Sequence, residues 1–255
     1  NGGKQWYDAG VLQINQRFNG TFSGTVAYTW SHELDENQES GSNALFFSSG
    51  PMGLYNGAYS NDKASGNLDQ RHHFVGTFIV RPQLMKGTSA FAKYLANGWD
   101  LNGILTLASG RPSFESIGYS STTNVTNLIP FTTLDGLGGD GRVPFLPNNP
   151  LMIDPTYRLD ARIQHTWPIR ERMSLALMFE AFNVTNTIAN TGVVSQGFTA
   201  ANKGTAAAPN FVIAPCASAT ATSCAPTTPG LGNASAAFPD GTNARRAQVG
   251  LRFTF

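Results

Sequence analysis

The chain has 255 residues, of which 41% are hydrophobic, 11% aromatic and 13% charged, with a formal net charge of +1. Soluble domains carry about 25% charged residues, and nucleic-acid binding, which demands a basic stripe, is excluded by the charge balance. No run approaches the roughly 18 apolar residues of a membrane helix, so any membrane passage has to be made by strands. Residue 1 is Asn and no charged or apolar leader follows, so the chain reads as a fragment or a processed product.

In chain order, seven segments alternate apolar and polar residues, the period of a strand whose two faces meet different surroundings. Tyr7–Phe18 comes first, with Leu12, Ile14 and Phe18 sharing a face. Thr21–Ser31 is cleaner, with Phe22, Gly24, Val26, Tyr28 and Trp30 opposing Ser23, Thr25, Ala27, Thr29 and Ser31. In Arg71–Arg81, Phe74, Gly76, Phe78 and Val80 face one way, while Val75 and Ile79 blur the alternation. Gly98–Ala108 sets Trp99, Leu101, Leu105 and Leu107 against Asp100, Asn102 and Thr106. Thr156–Ile169 sets Tyr157, Leu159, Ala161, Ile163, His165 and Trp167 against Arg158, Asp160, Arg162, Gln164 and Thr166. Met173–Asn183 places Leu175, Leu177, Phe179 and Ala181 opposite Ser174, Met178 and Glu180. In the tail, Arg245–Phe255, the apolar set is Ala247, Val249, Leu251, Phe253 and Phe255, and the chain ends on an aromatic ring that suits a bilayer interface. No window shows a period near 3.6, so the chain is all-β.

The connectors alternate strictly between short and long. Asn19-Gly20, Pro82–Asn97 and Arg170–Arg172 are short or moderate; Glu33–Asp69, Arg111–Pro155 and Thr185–Asn243 are long. In an antiparallel up-and-down meander, this puts every long loop at one end, the pattern of outer-membrane barrels with short periplasmic turns and long outer loops. From Phe22 to Trp30 and from Tyr157 to Trp167, tilted strands rise about 20 and 25 Å, which matches the apolar band of such barrels. Trp99, Trp167, Phe22 and Phe255 then fall at the periplasmic rim, and Tyr28, Trp30, Tyr157 and Phe74 at the outer rim. The expected fold is a partial outer-membrane β-barrel of about seven transmembrane strands, one face against outer-membrane lipid.

Five segments in order resemble the carboxy-terminal barrel of TonB-dependent outer-membrane receptors: residues 28–36 (YTWSHELDE), 68–82 (LDQRHHFVGTFIVRP), 97–114 (NGWDLNGILTLASGRPSF), 157–186, and the terminal RRAQVGLRFTF. The similarity is greatest to the Oar-like branch common in acidobacteria, whose members carry an amino-terminal carboxypeptidase-regulatory-like domain and a plug. The resemblance implies a 22-stranded barrel of which residues 1–255 are the carboxy-terminal part, the plug and TonB-contacting segment lying outside this chain. It also implies uptake of an extracellular ligand driven by the TonB system. Ala247, Val249, Leu251, Phe253 and Phe255 resemble the signal read by the barrel-assembly machinery. A structural or adhesive barrel is the second reading, and a secreted glycan-binding sandwich the third.

Individual motifs have simple readings. Gly136–Gly141 satisfies GxGxxG but is followed by Arg142-Val143-Pro144, which cannot open the helix a dinucleotide site needs. His72 and His73 point to opposite faces and cannot jointly hold a metal. His32, Glu33, Asp35 and Glu36 read as a solvated loop base. Asp100, Asn102, Arg158, Asp160, Arg162, Glu180 and Arg252 form the polar wall facing a lumen, and a three-residue turn at Arg170–Arg172 would set Arg162 opposite Glu180. Cys216 and Cys224 suit a small loop disulfide. The sequence offers no catalytic set, metal site or cofactor site, and the ligand remains open.

Overall fold

The computed structural model describes residues 4–36, 63–86, 89–119, 143, 146–147, 149–202, 211–216, 230–237 and 243–255. Its strands begin with β1 (Gln5–Gln16), β2 (Phe22–Asp35), β3 (Ala64–Ser65), β4 (His72–Val80), β5 (Trp99–Ala108), β6 (Pro112–Ser113), β7 (Ser116–Tyr119) and β8 (Leu151–Met152). They continue with β9 (Thr156–Arg170), β10 (Met173–Phe182), β11 (Asn190–Val193), β12 (Gln196–Asn202), β13 (Phe211–Pro215), β14 (Ala234–Ala237) and β15 (Arg246–Thr254). A π-helical turn, Ala92–Ala96, is too short to alter the all-β class.

Seven long strands form one sheet in the order β1-β2-β4-β5-β9-β10-β15, each antiparallel to its neighbour. This is the expected meander, with all three long connectors at one end. The register explains why the two faces stay distinct. Val26 pairs with Gly76, Gly76 with Leu105, Leu105 with Leu159, and Ile163 with Phe179, which in turn pairs with Val249. A slip of one residue at any ladder would carry a whole strand's apolar set to the other side.

The apolar face meets no second protein layer among the described residues. Val26 and Ile163 are each 38% exposed and Leu251 is 71% exposed. Among the described residues, the buried hydrophobic ones are Ala92, Ala96, Ala108, Val143, Ala176 and Val193, with no Leu, Ile or Phe. A soluble sandwich buries its large side chains between sheets; this sheet presents them in one contiguous band. The packing thus contradicts the glycan-binding sandwich.

Strand ends differ from expectation in two places. β2 runs to Asp35, four residues past Ser31, because β1 pairs with it as far as Gln5↔Asp35. Phe18, expected on the first strand, lies beyond its end at Gln16. The β9–β10 turn is Glu171-Arg172, and a register shift after Met173 skips Ile169, so Trp167 still faces Leu175 and Arg162 faces Glu180. The long connectors, expected as loops, contain short strands with no apolar period long enough to read.

On the apolar face, Phe78 lies flat across Gly103: a Cβ there would come within 2.2 Å of the Phe78 ring. Gly10 on edge strand β1 has no atom within 4 Å of the corresponding position. Gly103→Val therefore forces the ring out of place and is expected to cost about 1–3 kcal/mol, whereas Gly10→Ala stays within about 0.5 kcal/mol of the parent. Urea unfolding in detergent micelles measures both; equal effects would show that the Phe78–Gly103 contact carries no stability.

Candidate functional site: the polar face and the outer rim

Strand pairing gathers the polar candidates on the face opposite the apolar band. Asn102 stands beside Arg162, Arg162 beside Glu180, Glu180 beside Gln248, and Asp100 beside Gln164. Arg252 lies opposite Ala176 on the same side. Arg158 and Asp160 occupy the β9 positions nearer the long loops. The seven residues proposed for a polar wall thus share one face.

Five of their six charged groups are paired along and across strands. Arg81 Nε donates to Asp100 Oδ2 at 2.8 Å, and Arg158 Nε donates to Asp160 Oδ1 at 3.0 Å. Arg162 Nε lies 2.9 Å from Glu180 Oε1, the pair expected from the turn. Its N–H is misaligned for a hydrogen bond, so the contact is chiefly coulombic. Glu180 also accepts from the Gln248 side-chain amide. All of these groups keep contact with solvent, and pairs of this kind contribute at most about 1 kcal/mol each. Their larger effect is to keep the wall polar yet almost neutral. A hollow of about 580 Å³ lies on this face, lined by Thr25, Thr77, Arg81, Asp100, Arg162 and Arg252 among others. Apolar Ile104, 50% exposed, interrupts the polar lining beside Asp160.

At the long-loop end the acidic group is not the solvated base expected. Glu33 and Glu36 are buried, and so is Asp69. The extension of β2 carries Glu33 beside β3 and the turn that precedes β4. The Glu33 amide donates to Asp69 Oδ1 at 2.9 Å, the Gln5 side-chain amide donates to the Glu33 carboxylate, and Arg71 Nη2 lies 3.3 Å from Asp69 Oδ2. His32 lies on the opposite face, with Nε2 3.5 Å from Ser65 Oγ. His72 and His73 do part to opposite faces, and His72 Nδ1 is 2.8 Å from the Tyr28 hydroxyl.

The long connectors are tied to one another. Asn149 Nδ2 donates to Ser65 O at 3.0 Å, joining the second connector to the first. β7 runs parallel to β12, joining the second to the third, and Asn190 Nδ2 reinforces this by donating to Asp154 Oδ2 at 2.7 Å. Beside this seam, Val143 is buried among Leu146, Phe198 and Ile213. Glu115 lies against Gly197, where any Cβ would strike its carboxylate, and burial raises its pKa above the usual carboxylate value. Cys216 is disulfide-bonded; Cys224 and the Gly136–Gly141 motif lie outside the described residues.

Asn183 holds the base of the third connector, a role sequence reasoning missed. It is 1% exposed and has φ of 51°, a left-handed conformation that Asn tolerates well. Its Nδ2 donates to Thr187 O at 2.9 Å and Asn243 O at 2.8 Å, its Oδ1 accepts from Thr187 N, and its own N–H donates to Asp160 Oδ1 at 2.7 Å. One side chain therefore fixes where the chain leaves β10 and where it returns to β15. The available signal was Asn183-Val184-Thr185-Asn186, an Asn-rich turn just after an apolar run.

Asn183→Ala removes the three side-chain hydrogen bonds to Thr187 and Asn243 and puts Ala at a left-handed φ, and should lower stability by about 2–3 kcal/mol. At Asn186, φ 55° and exposed, replacement by Gly should be close to neutral. Thermal unfolding in detergent distinguishes them; an unchanged midpoint for Asn183→Ala would remove the hub from the account.

Residues 1–143, more than half of the chain, match a family described as an outer membrane beta barrel domain. No curated protein and no solved structure matches the chain. The match ends within the second long connector, yet β9, β10 and β15 extend the same hydrogen-bonded sheet with the same apolar face. The sheet, its uncovered apolar band and the family match agree: the chain belongs to the outer membrane beta barrel domain family, and its place is the cell outer membrane.

Proposed function

We propose that the chain is barrel wall and outer loops of a TonB-dependent transporter that takes up an extracellular ligand, and that it carries no catalysis of its own. The observation that carries this reading is the cross-tying of three long connectors above a polar wall. Such a cap is built to hold a ligand at the mouth of a passage, since connectors fixed to one another lose less entropy on binding than independent loops. In this reading Asp100, Asn102, Arg158, Asp160, Arg162, Glu180 and Arg252 face a lumen, where near-neutral pairing lets a ligand or a plug slide past without being trapped. β1 and β15 are each paired on one side only among the described residues. Hydrocarbon does not tolerate open strand edges, so the working barrel contains further strands, and a plug and a carboxypeptidase-regulatory-like domain accompany it. The terminal Ala247, Val249, Leu251, Phe253 and Phe255 serve the barrel-assembly machinery, and Cys216 pairs with Cys224.

The test is a strain lacking the gene for the protein that contains this chain, compared with its parent and with a TonB-null strain for accumulation of labelled iron chelates, oligosaccharides and peptides. The reading predicts one class whose accumulation falls in both mutants and returns with the gene. Accumulation independent of TonB, or a defect confined to surface attachment, would overturn it in favour of a structural or adhesive barrel.

A further inference from the structure

The moderate connector between β4 and β5 does not behave like the other short turns. The β9–β10 turn is Glu171-Arg172, and the β1–β2 connector, Arg17-Phe18-Asn19-Gly20-Thr21, presents one large apolar side chain, Phe18 at 45% exposure. The β4–β5 connector instead presents Leu84, Phe91 and Leu95 at 64%, 59% and 58% exposure, together with Met85. These values approach that of Leu251 in the middle of the lipid-facing band. The side chains that the helical turn buries are the small ones, Ala92 and Ala96. An ordinary water-facing turn has the opposite arrangement.

This exposure is held in place by hydrogen bonds. Asn97 Nδ2 donates to Met85 O at 2.8 Å while the Met85 amide donates to Asn97 Oδ1 at 3.2 Å. Asn97 N donates to Ala92 O at 3.1 Å, closing the helical turn. Gly98, at φ 92°, brings the backbone so near Thr166 O that a Cβ would sit 2.5 Å from it. Trp99 Nε1 donates to Leu95 O at 3.2 Å. A connector clamped at three points is not turning its apolar side chains outward for want of order.

The connector is also continuous with the lipid-facing surface. Trp99 lies on the apolar face beside His165, their rings 4.5 Å apart and edge to face, and Trp167 lies 4.4 Å beyond. His165 is 4% exposed, covered by the two indole rings. The helical turn packs on β9 at this aromatic corner. Lys86, exposed immediately after Met85, supplies a cation at the edge of the apolar set.

We propose that residues 84–86 and 89–96 are a membrane-interface anchor. Leu84, Met85, Phe91 and Leu95 insert at the headgroup–acyl boundary of the periplasmic leaflet, and Lys86 lies among the lipid phosphates. The occupant is phospholipid, because the apolar set is an extension of a surface that already faces lipid, and interfacial helices bind through such a combination of buried apolar side chains and a cationic edge. Small residues against the sheet and large ones outward form the pattern of an element pinched between protein and bilayer. The anchor fixes the depth and tilt of β4 and β5, at whose ends Arg81, just past β4, pairs with Asp100 on the polar face.

The test places an environment-sensitive fluorophore on Leu84→Cys, Leu95→Cys, Glu171→Cys or Leu251→Cys in the full protein that contains this chain, in phosphatidylethanolamine–phosphatidylglycerol vesicles, with the native disulfide kept oxidised. Iodide reports access from water, and lipids bearing a nitroxide near the headgroup or deep in the acyl chain report depth. At positions 84 and 95, iodide quenching should be several-fold weaker than at 171, with stronger quenching by the shallow nitroxide than by the deep one. Position 251 should respond most to the deep nitroxide. Iodide access at 84 and 95 equal to that at 171 would overturn the anchor and leave the turn to water or a soluble partner. Protection that vanishes as protein is diluted in lipid would overturn it in favour of contact between copies. If 251 were also open to iodide, the membrane placement would fail and the anchor with it.

Discussion

Hydrocarbon offers no partner to a backbone N–H or C=O, and an unpaired group there costs several kcal/mol. The structure depends on this constraint. A strand can enter such a medium only when its neighbours satisfy its backbone, and the six antiparallel ladders between β1 and β15 do this from Gln16↔Gly24 to Ser174↔Thr254. Once the ladders exist, the pleat sends alternate side chains to opposite sides. Everything else follows from which residues occupy each side.

The wall was legible because its signal is local. Period-two alternation over nine or more residues, as in Phe22–Trp30 and Tyr157–Trp167, reports two environments without needing any partner strand. The Arg162–Glu180 pair was legible for a related reason, since two residues related by a tight hairpin are placed by counting. What escaped reading depends on distant residues. The extension of β2 to Asp35 needs Gln5 and Tyr7 as partners; the burial of Glu33 needs Asp69; and the β7–β12 seam joins residues about 80 positions apart, with a parallel pairing that no local pattern announces. Asn183 is a similar case, because an Asn after a strand signals a turn but not that its amide will close a connector returning at Asn243.

The two ends of the sheet are built differently because they meet different demands. At the long-loop end, polar groups are satisfied by one another: Asp69 by Glu33 N and Arg71, Asn183 by Thr187 and Asn243, Asn190 by Asp154. Such a network resists water and keeps connectors in register with the wall below them. At the opposite end, aromatic and aliphatic side chains dominate, with Trp99, His165 and Trp167 in ring contact. Between them the polar face carries paired arginines and carboxylates that neither fill the hollow nor leave it strongly charged. A hydrogen-bonded loop end, a polar middle of paired charges and an aromatic turn end are thus arranged in order along the strands.

The central claim is that the face bearing Val26, Leu105, Ile163 and Leu251 meets lipid while the face bearing Arg162 and Arg252 meets water. Spin labels placed one at a time at each residue from Tyr157 to Trp167, in the full protein that contains this chain reconstituted into bilayers, test it most directly. Oxygen, which concentrates in hydrocarbon, should relax the odd-numbered positions, and a water-soluble nickel chelate the even-numbered ones, with a period of two throughout. Equal access of both reagents to neighbouring positions, or the reversed phase, would contradict the account.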